Sequence, residues 1–528
     1  MYIDHNRDTI FAPATIPGTG AISLIRVSGP DSIRTAAALV HSPEEKQDDT
    51  PEQGEHLNAR IMDSEGYRIH FGLVRGKDGN VLDEVLVSVF RAPHSYTGED
   101  SVEISCHASS YIVSEMSALL ADAGLRPAEP GEFTRRAFLN GKMDLAQAEA
   151  VADVIASRSA AAHRIAISQL KGGFSAELKQ MRNSLLEIVS LMELELDFSD
   201  EEVEFADRGR LSSLVDKVIA HIHRLMDSFR LGNAIRNGIP VAIAGATNVG
   251  KSTLLNALLG EERAIVSDVH GTTRDTVEET MNVGGILFRF IDTAGLRETE
   301  ETVEKIGIER SYRKLHEAMV VLGIVDVTRT LEEIRDEIST ILSQTDPSRQ
   351  KVFIVLNKCD VSGDSSYGIS SGNIVPGCGQ AGSMKAVADS YHDGAETSAN
   401  SGPERSNKNV FSFNNIVSYI DNKDIEVIAI SAKAKTGIDT LKSMIAASQK
   451  DVAGNTEDVT VTNIRHYEAL RSASSALERV RTGLATAVPT DLVAQDIREA
   501  LYHLGSIVGE ISTDEVLGNI FKNFCIGK

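Results

Sequence analysis

The sequence predicts a multidomain α/β chain. An α+β domain comes first, and a phosphate-binding-loop domain is inserted into a helical domain. Three observations predict this. The segment Gly245 to Thr253, GATNVGKST, fits G-x-x-x-x-G-K-[ST] between an apolar β-type run and a helical pattern. Apolar stripes at three- and four-residue steps lie on both flanks of that region. Residues 1–140 instead contain runs that alternate between apolar and polar.

The elements follow in chain order. Ile10-Phe11-Ala12-Pro13 and Ala21 to Val27 read as strands, as do Asp83 to Phe90 and Ser101 to Cys106, while Ile112 to Ala123 reads as a helix. Residues 1–140 therefore form a separate α+β domain. The tract Glu44 to Glu55 reads as a mobile loop. The segment Gly131 to Leu145 mixes acids, bases and aromatics before a helix. It is either a junction laced by salt bridges or a functional segment. Helical stripes follow at Leu178, Met181, Leu185, Ile188, Met192 and Leu196, then at Leu211, Leu214, Val218, Ile222, Leu225 and Phe229. The period returns at Leu492, Val493, Ile497, Leu504 and Ile507. One helical domain built from residues 141–237 and 448–528 accounts for both flanks, with residues 238–447 inserted. Insertion is tolerated where the ends of a domain lie close together.

The inserted domain carries the chemistry. The strand Val241 to Ala244 leads into the loop, and Leu254, Leu255, Ala257 and Leu258 begin a helix. Gly245 and Gly250 let backbone N–H groups turn toward phosphate oxygens, at the positive end of the helix dipole. Lys251 reaches the β- and γ-phosphates, and Ser252 offers a hydroxyl to magnesium. Ile286 to Ile291 reads as a strand ending in Asp292-Thr293-Ala294-Gly295, where the Asp holds the metal through water and the Gly meets the γ-phosphate. Met319 to Asp326 and Lys351 to Leu356 are further strands, the latter delivering Asn357-Lys358-Cys359-Asp360. In that N-K-x-D arrangement a carboxylate accepts hydrogen bonds from two guanine N–H donors, which adenine does not offer as a pair. Glu426 to Ile430 leads to Ser431-Ala432-Lys433, a loop that closes over the base. Five elements in this order at strand ends describe a Ras-like GTPase domain.

One position departs from the Ras pattern. A Gln directly after D-x-x-G orients the attacking water in those enzymes. Leu296 occupies it here, and an apolar side chain cannot do that work. Three groups nearby are relevant. The segment His270 to Asp275 lies where a mobile switch belongs, and Thr273 on it is the expected magnesium ligand. Asn248 could coordinate a monovalent cation in place of an arginine finger's charge. Glu304 could polarise water, or could be one of the solvated acids in the run Glu298 to Glu304.

Composition bounds the rest. The chain has 528 residues, enough for three or four domains, and a net charge of −23. That charge argues against wrapping nucleic acid on a broad basic surface. Cys106, Cys359, Cys378 and Cys525 make no C-x-x-C pair, which fits a reducing compartment. No apolar run approaches the ~20 residues that span a bilayer, and no signal peptide is evident, so the expectation is a soluble cytoplasmic protein without membrane association. Residues 361–410 hold 10 Ser and 8 Gly without a sustained period. The whole stretch 361–424 reads as a long, largely disordered insertion. The terminal Cys525 is either part of a frayed end or a reactive thiol on an arm, favoured as thiolate by nearby Lys528.

The motifs together resemble a known family. DTIFAPATIPGTGAISLIRVSGP, SYTGEDSVEISCHA, GEFTRRAFLNGKMDLAQAEAVADVI, GATNVGKSTLLNALLG, HGTTRDT, DTAGLRET, VEKIGIER and the terminal FCIGK occur in the order seen in the MnmE (TrmE) tRNA-modification GTPases. Only residues 361–424 depart, being longer than is usual in that family. The resemblance implies an N-terminal tetrahydrofolate-binding domain, a split helical domain and an inserted GTPase domain. It implies a homodimer formed through the N-terminal domains. It also implies joint action with the FAD-containing protein MnmG, as a heterotetramer, on the wobble uridine of certain tRNAs. An aminomethyl-type group goes onto carbon 5, and a methylene-tetrahydrofolate supplies the carbon; the FAD stays on the partner. A regulatory GTPase switch, such as a ribosome-assembly factor, is the alternative, but it would need neither the folate motifs nor the FCIGK tail.

The residues the resemblance implies are these. GTP is held by Asn248, Val249, Gly250, Lys251, Ser252 and Thr253, by Ser267, Asp268, Val269, His270, Gly271, Thr272 and Thr273, and by Asp292, Thr293, Ala294 and Gly295. Asn357, Lys358, Asp360, Ser431, Ala432 and Lys433 complete the base side. Ser252 and Thr273 bind magnesium, and Asn248, Ser267, Val269 and Thr272 bind potassium. Glu304 is the catalytic glutamate. Arg26, Glu103, Lys142 and Lys528 contact the folate, and Cys525 matters for modification.

Overall fold

The computed structural model describes residues 8–18, 20–43, 51–197, 208–260, 279–291, 315–360, 416, 419–420, 425–449, 459–486, 488–511, 514–522, 524 and 526–527. The chain forms two compact units. One comprises Met1–Ser157, His163–Phe229 and Val459–Lys528, and the other Arg158–Ala162 and Arg230–Asp458.

The first unit begins with β1 (Ile10–Pro13), β2 (Ile22–Ser28), α1 (Ser32–Leu39), β3 (Val40–His41), α2 (Pro51–Met62), β4 (Arg68–Arg75), β5 (Val81–Phe90), β6 (Ser101–His107), α3 (Ser110–Asp122), β7 (Arg126–Pro127) and α4 (Glu132–Leu139). The strands pair as one sheet in the order β3-β4-β5-β6-β2-β1-β7, antiparallel except at β1–β7. Period-two alternation fixes its faces. Val85, Val87 and Val89 of β5 are buried against α1 and α3 with Val102 and Ile104, whereas Leu86 points to solvent. The expected loop over residues 44–55 is corrected in part: Pro51–Met62 is helical. Pro suits the first helical position, and Leu57 and Ile61 reach the core from one face of the helix.

The segment Gly131 to Leu145 proves to be laced by ion pairs. Arg136, 2% exposed, meets Glu132 at 3.1 Å, Asp8 at 2.8 Å and Glu99 at 3.2 Å, and Arg126 meets Glu132 at 2.6 Å. Burial alone would raise the pKa of Glu132, but the Arg126 and backbone hydrogen bonds outweigh it and hold it below the usual range.

Next come α5 (Leu145–Ala156), α6 (Ala160–Leu170), α7 (Gly173–Asp197) and α8 (Arg208–Asn237). Asp144 caps α5 in a capping box with Gln147. The second unit then runs β8 (Ile239–Ala244), α9 (Lys251–Leu259), β9 (Glu279–Val283), β10 (Ile286–Phe290), β11 (Val320–Asp326), α10 (Leu331–Ser343), β12 (Lys351–Asn357), β13 (Ile425–Ala429) and α11 (Ile438–Ser448). Its sheet has the order β13-β12-β11-β8-β10-β9, parallel except for β9. β11 is buried at every residue and β12 at all but its first, as expected of parallel strands covered on both faces. The insertion 361–424 lies almost entirely outside the described residues.

The chain closes with α12 (Ile464–Ala485), α13 (Thr490–Val508) and α14 (Asp514–Phe521). Leu178, Leu185, Val215 and Ile222 share one core with Leu470, Leu477, Ile497 and Leu504. Helices from both sides of the inserted unit thus complete a single hydrophobic core. Leu492 is a correction: at 51% exposure it lies off the stripe, and its neighbour Val493 takes the inward position. A one-residue step turns the helix by about 100°. Within this core Glu149 binds His466 at 2.6 Å and Arg465 at 2.9 Å. Among the described residues no helix is long and apolar enough to cross a membrane.

Candidate functional site

The strand order reverses between β8 and β11: the chain runs from β8 through α9 and β9 to β10 on one side of β8, then crosses to β11 on the other. In parallel sheets that reversal point is where ligands bind. The loop from Gly245 to Gly250 occupies it. Gly250 caps the start of α9 in the left-handed conformation at φ +100°, and a Cβ there would collide with the Asn357 amide. Val249 is buried beneath the loop, while Thr247 and Asn248 are exposed above it, as are Ser252 and Thr253 on α9. Lys251 donates to the Gly245 carbonyl at 3.0 Å, so its ammonium lies across the loop. Burial lowers its pKa, against the attraction of Glu337.

The base side is joined to this loop through β12. Asn357, buried, donates Nδ2–H to the Val249 carbonyl at 2.8 Å and accepts from the Ala432 N–H at 3.0 Å. One side chain thus ties the phosphate loop to the Ser431–Lys433 loop. Lys358 donates to the Asn248 carbonyl at 3.0 Å and to Asp326 at 2.7 Å. Asp360 is exposed and accepts from the Ser431 hydroxyl at 2.7 Å, while the same hydroxyl oxygen accepts from the Ala434 N–H. That leaves the Asp360 carboxylate facing outward, with Lys433 exposed on the neighbouring loop. Cys359 is buried, and burial pushes its thiol up to about 11.

Two carboxylates that the sequence reading did not single out brace this arrangement. Asp326, at the end of β11, accepts from the Thr328 N–H and hydroxyl as well as from Lys358. Burial would raise its pKa, but Lys358 and Thr328 hold it below the usual range. Glu337 on α10 accepts from the Ala246 N–H at 2.8 Å. The position of Asp326 at the end of an apolar strand was the signal for it. Glu337 gave none, because it sits among other acids on a helix.

Among the described residues no group of three or more His, Cys, Asp or Glu side chains could hold a metal. The donors on the loop are hydroxyl, amide and backbone groups, which suit a hard cation shared with phosphate oxygens. Ser267, Asp268, Val269, His270, Gly271, Thr272, Thr273, Asp292, Thr293, Ala294, Gly295 and Glu304 lie outside the described residues, as do Cys525 and Lys528.

In the first unit Arg26 and Glu103 meet. They sit opposite each other in the β2–β6 register and pair at 2.9–3.0 Å. The Arg26 guanidinium lies 5.0 Å from the Tyr96 ring centre and 5.7 Å from that of Phe133, and donates to the Gly527 carbonyl at 3.2 Å. The C-terminal tail therefore folds back onto the N-terminal sheet. Lys142 donates to the Pro93 carbonyl at 2.8 Å. The sequence reading missed Tyr96 and Phe133, whose part depends on a fold that brings them over Arg26.

Comparison with known proteins agrees along the whole length. A model described as GTP-binding protein TrmE N-terminus matches residues 9–142, and one described as MnmE helical domain matches residues 145–525. The chain belongs to the MnmE family. A relative from Parabacteroides distasonis, named tRNA modification GTPase MnmE, is 46% identical over 521 residues, covering 98% of this chain and all of that one. MnmE relatives of the same name from Bacteroides fragilis strain YCH46 and Flavobacterium johnsoniae are 46% and 43% identical, each over 99% of this chain and 100% of their own length. The G domain of FeoB from Methanococcus jannaschii aligns with 40% of this chain and 98% of its own, at 23% identity and a TM-score of 0.24, too low to bear on the fold.

Proposed function

We propose that this MnmE-family chain is the GTP-hydrolysing component of a complex that adds an aminomethyl or carboxymethylaminomethyl group to carbon 5 of the tRNA wobble uridine. The observation that carries the reading is Asn357, which links the phosphate loop to the base loop in a chain that matches MnmE relatives from end to end. Such a link orders both halves of a guanine-nucleotide site at once. Asp360 faces outward to accept guanine N–H donors, and Lys251 is placed to exchange the Gly245 carbonyl for phosphate oxygens.

In this reading magnesium is held by Ser252 and Thr273, and potassium by Asn248 with Ser267, Val269 and Thr272. A potassium ion held there would supply the positive charge that an arginine finger supplies elsewhere, and Glu304 would polarise the attacking water, the role that Leu296 cannot fill. The folate derivative lies at Arg26, Glu103, Lys142 and Lys528. A cation stacked on two aromatic rings beside a carboxylate suits a flat heteroaromatic ring with N–H donors and an acidic tail. Cys525 serves the modification step. Residues 1–140, 141–237 with 448–528, and 238–447 are the corresponding domains.

A homodimer is part of the proposal. Ile69 and Phe71 on β4 and Leu86 on β5 are 66%, 48% and 46% exposed on one face of the N-terminal sheet, an apolar patch suited to a second copy. MnmG, carrying FAD, is the proposed partner that completes the complex, and the cytoplasm is the proposed location. Measuring GTP turnover and GTP binding for the wild type and Glu304→Ala tests the hydrolytic part. Turnover should fall at least about a hundredfold with affinity nearly unchanged. Equal turnover would remove Glu304 from the mechanism.

A further inference from the structure

Asn248 and Lys358 are not glycines, yet both hold left-handed backbone conformations, at φ +64° and +70°. Non-glycine residues adopt that region at a cost, and Asn more readily than Lys. A backbone outlier of this kind persists only when its surroundings over-determine it. Here the two outliers hold each other: the Lys358 ammonium donates to the Asn248 carbonyl. Lys358 is in turn tied at 2.7 Å to Asp326. The carboxylate does not swing freely, because the Thr328 N–H and hydroxyl fix its other oxygen at 3.0 and 2.7 Å. Asp326 is 6% exposed, so its charge is screened little by solvent.

We propose that Asp326 is a positioning residue for the monovalent-cation site: through Lys358 it fixes the backbone of Asn248 and so aims the Asn248 amide at the cation. The proposal rests on the reading of Asn248 as a potassium ligand. The physical argument is short. A potassium ion is discriminated from sodium by the number and placement of oxygen ligands. Asn248 has an exposed side chain on a loop, so its placement depends on its own backbone. The Asn248 carbonyl is held by a lysine, and a lysine on a flexible stem holds a fixed position only when its ammonium is itself pinned. Asp326 pins it from the end of the neighbouring strand β11. Base recognition and cation recognition then share one side chain, Lys358.

The test uses the full-length chain and potassium itself as the probe. GTP turnover is measured at saturating GTP against potassium concentration, and again in sodium at equal ionic strength, for the wild type, Asp326→Asn and Asp326→Ala, and the affinity of each for a fluorescent non-hydrolysable GTP analogue is titrated in the same two cations. Asp326→Asn keeps the shape and one acceptor oxygen, so it is expected to fold even where the alanine variant does not. The half-activating potassium concentration should rise about fivefold in Asp326→Asn and more in Asp326→Ala, as expected for a weakened charged hydrogen bond. The potassium-to-sodium rate ratio should fall in the same order. A loss of guanine-nucleotide affinity alone, with the potassium midpoint unmoved in Asp326→Asn, would overturn the proposal. A wild type equally fast in both cations would overturn the reading of Asn248 beneath it, and the proposal with it.

Discussion

Asn357→Ala should damage nucleotide binding far more than the loss of one polar side chain suggests. The amide makes two buried hydrogen bonds, to the Val249 carbonyl at 2.8 Å and from the Ala432 N–H at 3.0 Å. Truncation leaves both backbone groups without that partner, and each buried unsatisfied group costs about 1–3 kcal/mol. It also removes a side chain that joins the two loops directly. The loops keep other supports, Lys358 to Asn248 and Ser431 to Asp360, so part of the penalty relaxes. About 2–4 kcal/mol should remain in binding, a loss of about 30- to 1,000-fold in GDP affinity. Titration of the purified protein with a fluorescent GDP analogue measures it, and circular dichroism confirms that the variant is folded. An affinity within threefold of the wild type would refute the argument that this amide organises the site.

Two further perturbations reach other parts of the chain. Burial would raise the pKa of Glu149, but His466 and then Arg465 outweigh it and draw it from 4.5 down to about 2. A depressed folded-state pKa gives stability that is fully present above about 4.5 and is lost as pH falls toward 2. The shift corresponds to roughly 3 kcal/mol, so unfolding of Glu149→Gln in urea should vary less with pH across that window than the wild type; identical pH profiles would count against the buried ion cluster. Gly527 sits at φ +93° against the Pro13 carbonyl, where an added Cβ collides with backbone. Gly527→Ala should therefore unseat the tail from Arg26 and weaken binding of a formyl-tetrahydrofolate at least about tenfold in calorimetry, with GTP turnover unchanged. Unaltered folate affinity would separate the tail from that pocket.

The parts legible in the sequence were those encoded by short-range pattern. Val241 to Ala244, Met319 to Asp326 and Lys351 to Leu356 read as strands because continuous apolar runs ending at Gly or polar residues suit a sheet covered on both faces. The phosphate loop and N-K-x-D were legible for a similar reason, since each is a contiguous stretch whose residue types follow from its ligand. Long-range pairing was not legible. Arg136 with Asp8, Arg26 with the Gly527 carbonyl, and Glu149 with His466 join positions hundreds of residues apart or on different elements, and each residue alone reads as an ordinary surface charge. Local pattern also misled twice. The polar start of Pro51–Met62 hid a helix whose apolar anchors come only at Leu57 and Ile61. Leu492 was counted into a stripe that its neighbour Val493 fills.

The central claim is that GTP hydrolysis in this chain serves chemistry on the tRNA wobble uridine. Nucleoside analysis of tRNA from cells lacking this gene, with and without complementation by the wild type and by Cys525→Ser, tests it most directly. The account predicts loss of the carbon-5-modified wobble uridine on deletion, full return with the wild type, and poor return with Cys525→Ser although its GTP turnover stays close to normal. Unchanged wobble-uridine modification in the deleted strain would contradict the account and leave a regulatory GTPase switch in its place.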